Sequence, residues 1–474
     1  MRTGADKKAV NNYVLTANGG DLMNQKDLTQ GPVLKTMSLF AFPLILGNLL
    51  QQGYNVVDTW VVGKFVGPDA LAAVGSSYTL MTFLTSIMIG MCMGSSAVFS
   101  IAFGERNSGK LKAATVHSFV LIGIVTLILN VAAVGGLGQI LVLLQVPEEV
   151  MPFMREYLQV IFLGIAATFL YNFFAALLRA VGNSMVPLVF LGISAVMNIV
   201  LDLVFILVLG RGVRGAAEAT VLAQYVSGIG IVVYTLGKFP QFRISKTELR
   251  FDKGVLGEIS SLSFLTCIQQ SVMNFGILMV QGLVNSFGSV VMAAFAAAVK
   301  IDSFAYMPVQ DFGNAFSTFV AQNYGAGKGK RIREGIKKAT AASFVFCLVI
   351  SAIVCMFARP LMQIFVKSTE TEIISVGVGY LRIEGAFYFG IGLLFLLYGF
   401  YRAVKRPGMS VVLTVFSLGT RVLLAYILSA VPVLGVKGIW ISVPVGWAIA
   451  DIAGILYYMK NRKKLVQTAV EEEL

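Results

Sequence analysis

Charge is scarce in this sequence of 474 residues: Asp, Glu, Lys and Arg make up 13% of it, against 57% hydrophobic residues. A soluble fold carries roughly 25% charged residues to cover its surface, so lipid is the solvent for most of this chain. Histidine occurs once, as His117, which excludes His-based triads and multi-histidine metal sites and leaves a helix-end place beside a basic loop. Cysteine occurs four times. Cys92, Cys267, Cys347 and Cys355 lie in apolar stretches without CxxC or Cys/His spacing and read as reduced thiols. Long polar stretches are lacking too, so there is no room for a sizeable water-soluble domain. The opening residues (Arg2, Asp6, Lys7, Lys8, Asn11, Asn12, Asp21) read as a solvated tail without a signal-peptide core. With no catalytic motif, the chain is not read as an enzyme, and with no filter-like loop between spans it is not read as a channel.

Apolar stretches are what the chain does have. A helix crosses the hydrocarbon core with about 20 apolar residues, and such runs recur along nearly the whole sequence. Phe190 to Leu209 and Ser343 to Phe357 lack the alternation of a barrel strand, and lipid offers no partner to an open backbone, so the spans are helices. Breaks and charges place them at 36–63, 70–102, 116–143, 157–178, 186–210, 214–237, 258–285, 289–323, 338–366, 375–401, 409–434 and 436–459. The fold class is an all-α membrane protein of about twelve spans. With the N-terminus inside, most of the 37 Lys and Arg residues fall on the cytoplasmic side, which predicts both termini there. The formal charge of +13 is dispersed over short loops on one membrane side, so no nucleic-acid partner is implied.

The polar stretch 238–257 (Lys238, Arg243, Lys246, Arg250, Lys253) falls at mid-chain and divides two halves that repeat each other. Gly67 with Ala72-Ala73 recurs as Gly288 with Ala293-Ala294, and Phe103-Gly104 recurs as Tyr324-Gly325. Further along, Arg179-Ala180-Val181 recurs as Arg402-Ala403-Val404, and Gly212-Val213-Arg214-Gly215 as Gly435-Val436-Lys437-Gly438. Six helices return a chain to its starting side, so the halves are expected to be parallel repeats flanking a cleft. The expected layout is a tail at 1–33, a six-helix bundle at 34–237, a linker at 238–257, a second bundle at 258–460 and a tail at 461–474.

Gly104-Glu-Arg-Asn-Ser-Gly109-Lys110 approaches a phosphate-binding loop, but Leu111 stands where a magnesium-binding hydroxyl is needed and no strand precedes it. It reads, like Gly325-Ala-Gly-Lys328-Gly-Lys330, as a helix cap with basic loop charge. Gly90 and Gly94 have the spacing for close helix contact inside the bundle. Pro43, Pro187, Pro308 and Pro444 fall in or near spans, and a kink at Pro308 is expected.

Ionisable residues inside spans carry the most information, because a charge in hydrocarbon costs at least ~2.5 kcal/mol and normally faces a cavity or a partner. Asp58 precedes Lys64 by six residues and Asp202 precedes Arg211 by nine, depths of roughly 9 and 13 Å from the outer ends. Asn198 shares a helix face with Asp202, and Thr220 lies at a matching depth in the sixth span. Two carboxylates, an amide oxygen and a hydroxyl suit Na+, and two close carboxylates can instead hold a proton between them. In the second half Arg421 stands at the position of Asn198 and Ala425 at that of Asp202, so the proposed site is not repeated. Gln51, Tyr54, Gln269, Gln270, Tyr306, Asp311 and Arg421 are candidates to line a substrate cleft, with Phe275 and Tyr398 as further aromatics. Asp302 reads equally as a substrate ligand or as a local pair with Lys300. Glu384 and Asp451 complete the second-half set.

The chain resembles the multidrug and toxic compound extrusion (MATE) family over essentially all of 34–460. The resemblance rests on Tyr54-Asn-Val-Val-Asp58 with Val62-Gly63-Lys-Phe-Val-Gly67 and Ala70-Leu-Ala-Ala-Val-Gly75, on Arg179-Ala-Val-Gly-Asn183 with Pro187, on Asn198-Ile-Val-Leu-Asp202, and on Ala321-Gln-Asn-Tyr-Gly-Ala326-Gly. It implies a V-shaped pair of bundles in a bacterial inner membrane, a monomer exporting amphipathic, often cationic organic compounds against Na+ or H+, with no cofactor beyond that ion. It also implies a first-lobe cation site at Asp58, Asn198, Asp202 and Thr220, in a DinF-like arrangement. Members of the NorM-like branch carry acids in the seventh and tenth helices. This chain has Gln269 and Gln270 in the seventh, and Glu384 matches only loosely. A lipid-linked sugar flippase of the same superfamily is the alternative reading.

Overall fold

The computed structural model describes residues 26–143, 146–243 and 251–467. The expected tail before residue 26, the linker positions Lys246 and Arg250, and the end of the C-terminal tail lie outside the described residues.

The first half contains α1 (Val33–Phe65), α2 (Pro68–Gly104), α3 (Ser108–Gly135), the short α4 (Leu137–Leu143), α5 (Met151–Ile161), α6 (Ile165–Ala180), α7 (Met185–Asp202) and α8 (Gly212–Lys238). The second contains α9 (Lys253–Asn285), α10 (Ser289–Gly325), α11 (Gly329–Met356), the short α12 (Ala358–Phe365), α13 (Thr371–Gly385), α14 (Tyr388–Ala403), α15 (Pro407–Ser429) and α16 (Val436–Gln467). Among the described residues 11 helical stretches are long and apolar enough to cross a membrane, α5 and α6 counting as one, and the pair α13–α14, bent by 52°, makes a twelfth. The chain is a multi-pass, all-helical, two-lobed membrane protein.

The two halves share their backbone irregularities. Eight of the ten left-handed residues among those described fall in pairs: Gly67 with Gly288 and Arg106 with Gly327, each 221 apart, then Gly182 with Lys405 and Gly212 with Gly435, each 223 apart. These are the turns that start or follow equivalent helices, where a positive φ reverses the chain within two or three residues. Two expected spans end early at equivalent places. The helix predicted over 116–143 stops at Gly135 and that over 338–366 at Met356, because Gly136 and the Arg359-Pro360 step favour a break before α4 and α12. Pro308 lies inside an uninterrupted α10, so the expected kink does not break that helix.

Lipid tails are as apolar as a leucine, so burial in the bundle stabilises through close contact more than through escape from water. In the first half Phe99, Phe169, Phe173 and Phe174 interlock on α2 and α6. In the second, Phe295 stacks on Trp440 with centroids 5.3 Å apart, while Tyr380 meets Trp440 edge-on at 4.9 Å. The halves join where α2 packs on α9 and α10. Gly90 and Gly94 make this possible: a Cβ on Gly90 would stand 2.7 Å from Cys267 Cα, and one on Gly94 2.5 Å from Ser263 Cα. The GxxxG spacing therefore serves internal packing, and Ser95 and Ser263 share a hydroxyl hydrogen bond of 2.9 Å beside it.

One face of the bundle carries the basic loops and the start of α1. There α2 and α10 cross with their glycines in reciprocal contact, Gly104 against the Gln322 carbonyl and Gly325 against that of Ile101. A strap at 26–32 lies over the crossing. Leu28 is fully buried. Its N–H donates to Gln322 Oε1 at 3.1 Å, and its carbonyl accepts from Asn323 and Arg331. Gln322 Nε2 reaches the Ala180 carbonyl of the first half at 2.8 Å.

Candidate functional site

Asp58 sits on the outer part of α1 and Asp202 at the last residue of α7. The two carboxyl groups are close neighbours across the junction of these helices. Asp202 marks a change in the helix, because residues Leu203–Val208 continue as a π-helical turn. Such insertions widen a helix locally and recur at functional sites. One turn before Asp202, Asn198 Nδ2 donates to Thr220 Oγ1 of α8 at 3.2 Å. All four residues singled out in the sequence thus stand at one junction of α1, α7 and α8. Val61, Val62, Ile206, Ala217 and Val221 pack around that junction.

The oxygen atoms here are under-used. Among the described residues, Asp58 Oδ1, both Asp202 carboxylate oxygens and Asn198 Oδ1 accept no hydrogen bond. Two adjacent carboxylates repel strongly where water is sparse, so the arrangement calls for a positive charge. An ion with an affinity for hard oxygen ligands, or a proton shared between the acids, fits that donor set.

Tyr157 of α5 stands beside both aspartates, and sequence reasoning missed it. Its span was expected to begin at 157, which put Tyr157 at a helix end. The helix instead begins at Met151, so Tyr157 lies six residues in, about 9 Å deep, level with Asp58.

The cleft candidates divide into separate groups. Gln51 is exposed and Tyr54 half-buried, with Tyr78 and Tyr171 close to the Tyr54 ring. Gln269 is buried on α9 and Gln270 half-buried, while Phe275 is exposed and Tyr398 lies in the second-half core instead of a cleft. Asp311 accepts from Asn48 Nδ2 at 2.6 Å.

Tyr306 and Arg421 belong to a buried second-half cluster. Asp302 accepts there from Tyr388 at 2.6 Å and Tyr380 at 3.4 Å, and the Arg421 guanidinium faces both Asp302 and Glu384. Of the two readings of Asp302, the local pair with Lys300 does not form. Residues two apart on a helix point to different sides, and Lys300 is exposed while Asp302 is buried.

The phosphate-loop likeness dissolves as well. Asn107 caps α3 by accepting from Lys110 N–H at 2.9 Å, and the Lys110 ammonium pairs with Glu105 at 3.0 Å and Glu258 at 3.7 Å. His117 lies buried nine residues beyond the start of α3, inside the helix and not at its end. Its Nε2 accepts from the Asp252 N–H at 3.2 Å, tying the start of α9 to the first half.

A two-lobed helical bundle with a carboxylate pair in one lobe and a polar seam between the lobes has the architecture of a membrane transporter. A family model described as MatE matches residues 43–204 and 263–427, and the chain belongs to that family. The probable multidrug resistance protein YpnP of Bacillus subtilis is 31% identical over 457 residues, 95% of this chain and all of the relative. The probable multidrug resistance protein NorM of Thermotoga maritima is 25% identical over 91% of this chain and 93% of its own length. An FAD transporter of Shewanella oneidensis is 24% identical over 93% and 97%. A solved multidrug-resistance MATE transporter in an outward-facing conformation superposes with a TM-score of 0.87 at 23% identity, covering 93% of this chain and 98% of its own. At that identity the superposition speaks for the fold alone.

Proposed function

We propose that this protein exports amphipathic, often cationic organic compounds in exchange for inward Na+ or H+. The observation that carries this reading is the Asp58–Asp202 carboxylate pair, three of whose oxygen atoms, together with Asn198 Oδ1, accept no hydrogen bond. The ion binds at Asp58, Asp202, Asn198 and Thr220, and Tyr157 keeps its ring against the pair. The ion supplies the positive charge that lets the two acids approach. The protein acts as a monomer in the bacterial inner membrane, with both termini and the basic face in the cytoplasm, and needs no cofactor beyond the coupling ion. The drug-resistance names of its relatives support multidrug export. A sugar-lipid flippase calls for a strongly basic cavity, whereas Arg421 is offset here by Asp302 and Glu384.

The test is efflux from proteoliposomes under a sodium gradient and a proton gradient imposed separately. Efflux driven by one of the two is expected. Organic-cation movement indifferent to both removes the antiport reading.

A further inference from the structure

Asn48 and Asp311 face each other across the boundary between the halves, on α1 and α10. Their hydrogen bond of 2.6 Å uses only Asp311 Oδ1. Asp311 is 4% exposed, and its Oδ2 has no donor among the described residues. The remaining charged neighbour is the Arg179 guanidinium of α6, also from the first half, whose buried Nε is likewise unpartnered. Asn48 precedes Asp58 by ten residues of one helix, about 15 Å along its axis. The seam is therefore a separate site, nearer the basic face.

Every group that compensates Asp311 from across the boundary sits on the first half. When the halves part on the basic face, Asn48 and Arg179 leave with α1 and α6, while Asp311 stays on α10. A carboxylate stripped of its partners in an apolar cleft demands a replacement cation. We propose that Asp311 is the ligand for the substrate's cationic centre in the arrangement open to the basic face, and that Asn48 and Arg179 displace that centre on closure. The substrate class is an organic cation with one ammonium, pyridinium or phosphonium centre. Closure then restores the Asn48–Asp311 bond and frees the cation toward the other side. The inference rests on the export reading above and adds how the substrate is held and released.

The test compares tetraphenylphosphonium with triphenylphosphine oxide, a neutral probe of similar shape, by equilibrium binding to purified protein and by efflux from proteoliposomes. Asp311→Asn is expected to weaken tetraphenylphosphonium binding at least tenfold and to leave the oxide within twofold, while Asp311→Glu keeps the preference for the cation. Asn48→Ala, which removes a competitor, is expected to tighten tetraphenylphosphonium binding. Equal loss for both probes in Asp311→Asn, or weaker cation binding in Asn48→Ala, overturns the assignment. A wild type that exports tetraphenylphosphonium, with Asp311→Asn exporting it equally well, overturns the Asp311 assignment alone. A wild type that exports none overturns the export reading, and this inference with it.

Discussion

Two aspartates brought together in an apolar wall repel one another until a positive charge joins them. Neutralising either side chain removes both the repulsion and the need for the ion. Asp58→Asn and Asp202→Asn are therefore each expected to cut ion-driven efflux by roughly 5- to 150-fold, the usual span of a coupling between two ligands. The protein should still migrate as a folded species on size-exclusion chromatography. Full efflux by both variants would remove the ion site from this junction. Tyr157→Phe deletes one hydroxyl and keeps the ring, so a milder loss of about two- to tenfold is expected in the same assay. Lys110→Ala breaks partly exposed ion pairs worth up to ~1 kcal/mol, so efflux should change less than about fivefold. Nucleotide-dependent efflux in the wild type, lost in Lys110→Ala, would reopen the phosphate-loop reading. The aspartates were legible in the sequence because an intramembrane charge is costly enough to need a reason. Tyr157 was not, since a phenol among apolar residues costs little and its depth hung on a helix start misplaced by six residues.

At the level of elements, the strap at 26–32 is held almost wholly by side chains of the α10–α11 turn. Arg331 donates to the carbonyls of Gln30 and Gly31 at 2.7 Å and to that of Leu28 at 3.2 Å, and Lys328 donates to the Thr29 carbonyl at 2.9 Å. With Gln322 reaching both Leu28 and Ala180, the strap favours closure of the basic face. Removing hydrogen bonds worth ~1–2 kcal/mol in total shifts such an equilibrium about 5- to 30-fold. In a Thr29→Cys reporter, adding Arg331→Ala is expected to raise maleimide labelling from the basic side by that factor. An unchanged labelling rate would mean that the strap does not contribute to closure. Nothing in the sequence pointed to this strap: its contacts join residues some 300 positions apart, and its own residues form an ordinary polar turn. The helix breaks at Gly136 and Phe357 were hidden for another reason. The apolar run continues through them, and hydropathy registers composition but not a change of direction.

For the whole molecule, export requires the ion and the substrate to oppose each other. If both sites bias the same rocking of two lobes, the dissociation constant for tetraphenylphosphonium should rise with the concentration of the coupling ion. Linkage requires the substrate to weaken ion binding by the same factor, roughly 5- to 150-fold for a typical coupling. Asp202→Asn should flatten that dependence. An affinity indifferent to both Na+ and H+ in the wild type would count against exchange through the first-lobe site. The two lobes repeat four left-handed turns at equivalent positions, yet their buried charges differ. Asp202 of the first half corresponds to Ala425 of the second, and Asn198 to Arg421. The machine is symmetric in its hinges and asymmetric in its chemistry.

The membrane setting, the helix number, the repeat and the four residues of the first-lobe junction were all readable from the chain alone. Each rests on a local cost: apolar length, loop charge, glycine at a forced turn, or a carboxylate in hydrocarbon. Which distant groups meet was decided by the packing of one lobe on the other. The pairing of Asn48 with Asp311, the meeting of Asp302 with Tyr380, Tyr388, Glu384 and Arg421, and the contact of Lys110 with Glu258 all depend on close approach between helices far apart in sequence. Small residues such as Gly90, Gly94, Gly104 and Gly325 permit that approach without recording in the sequence which partner they will meet.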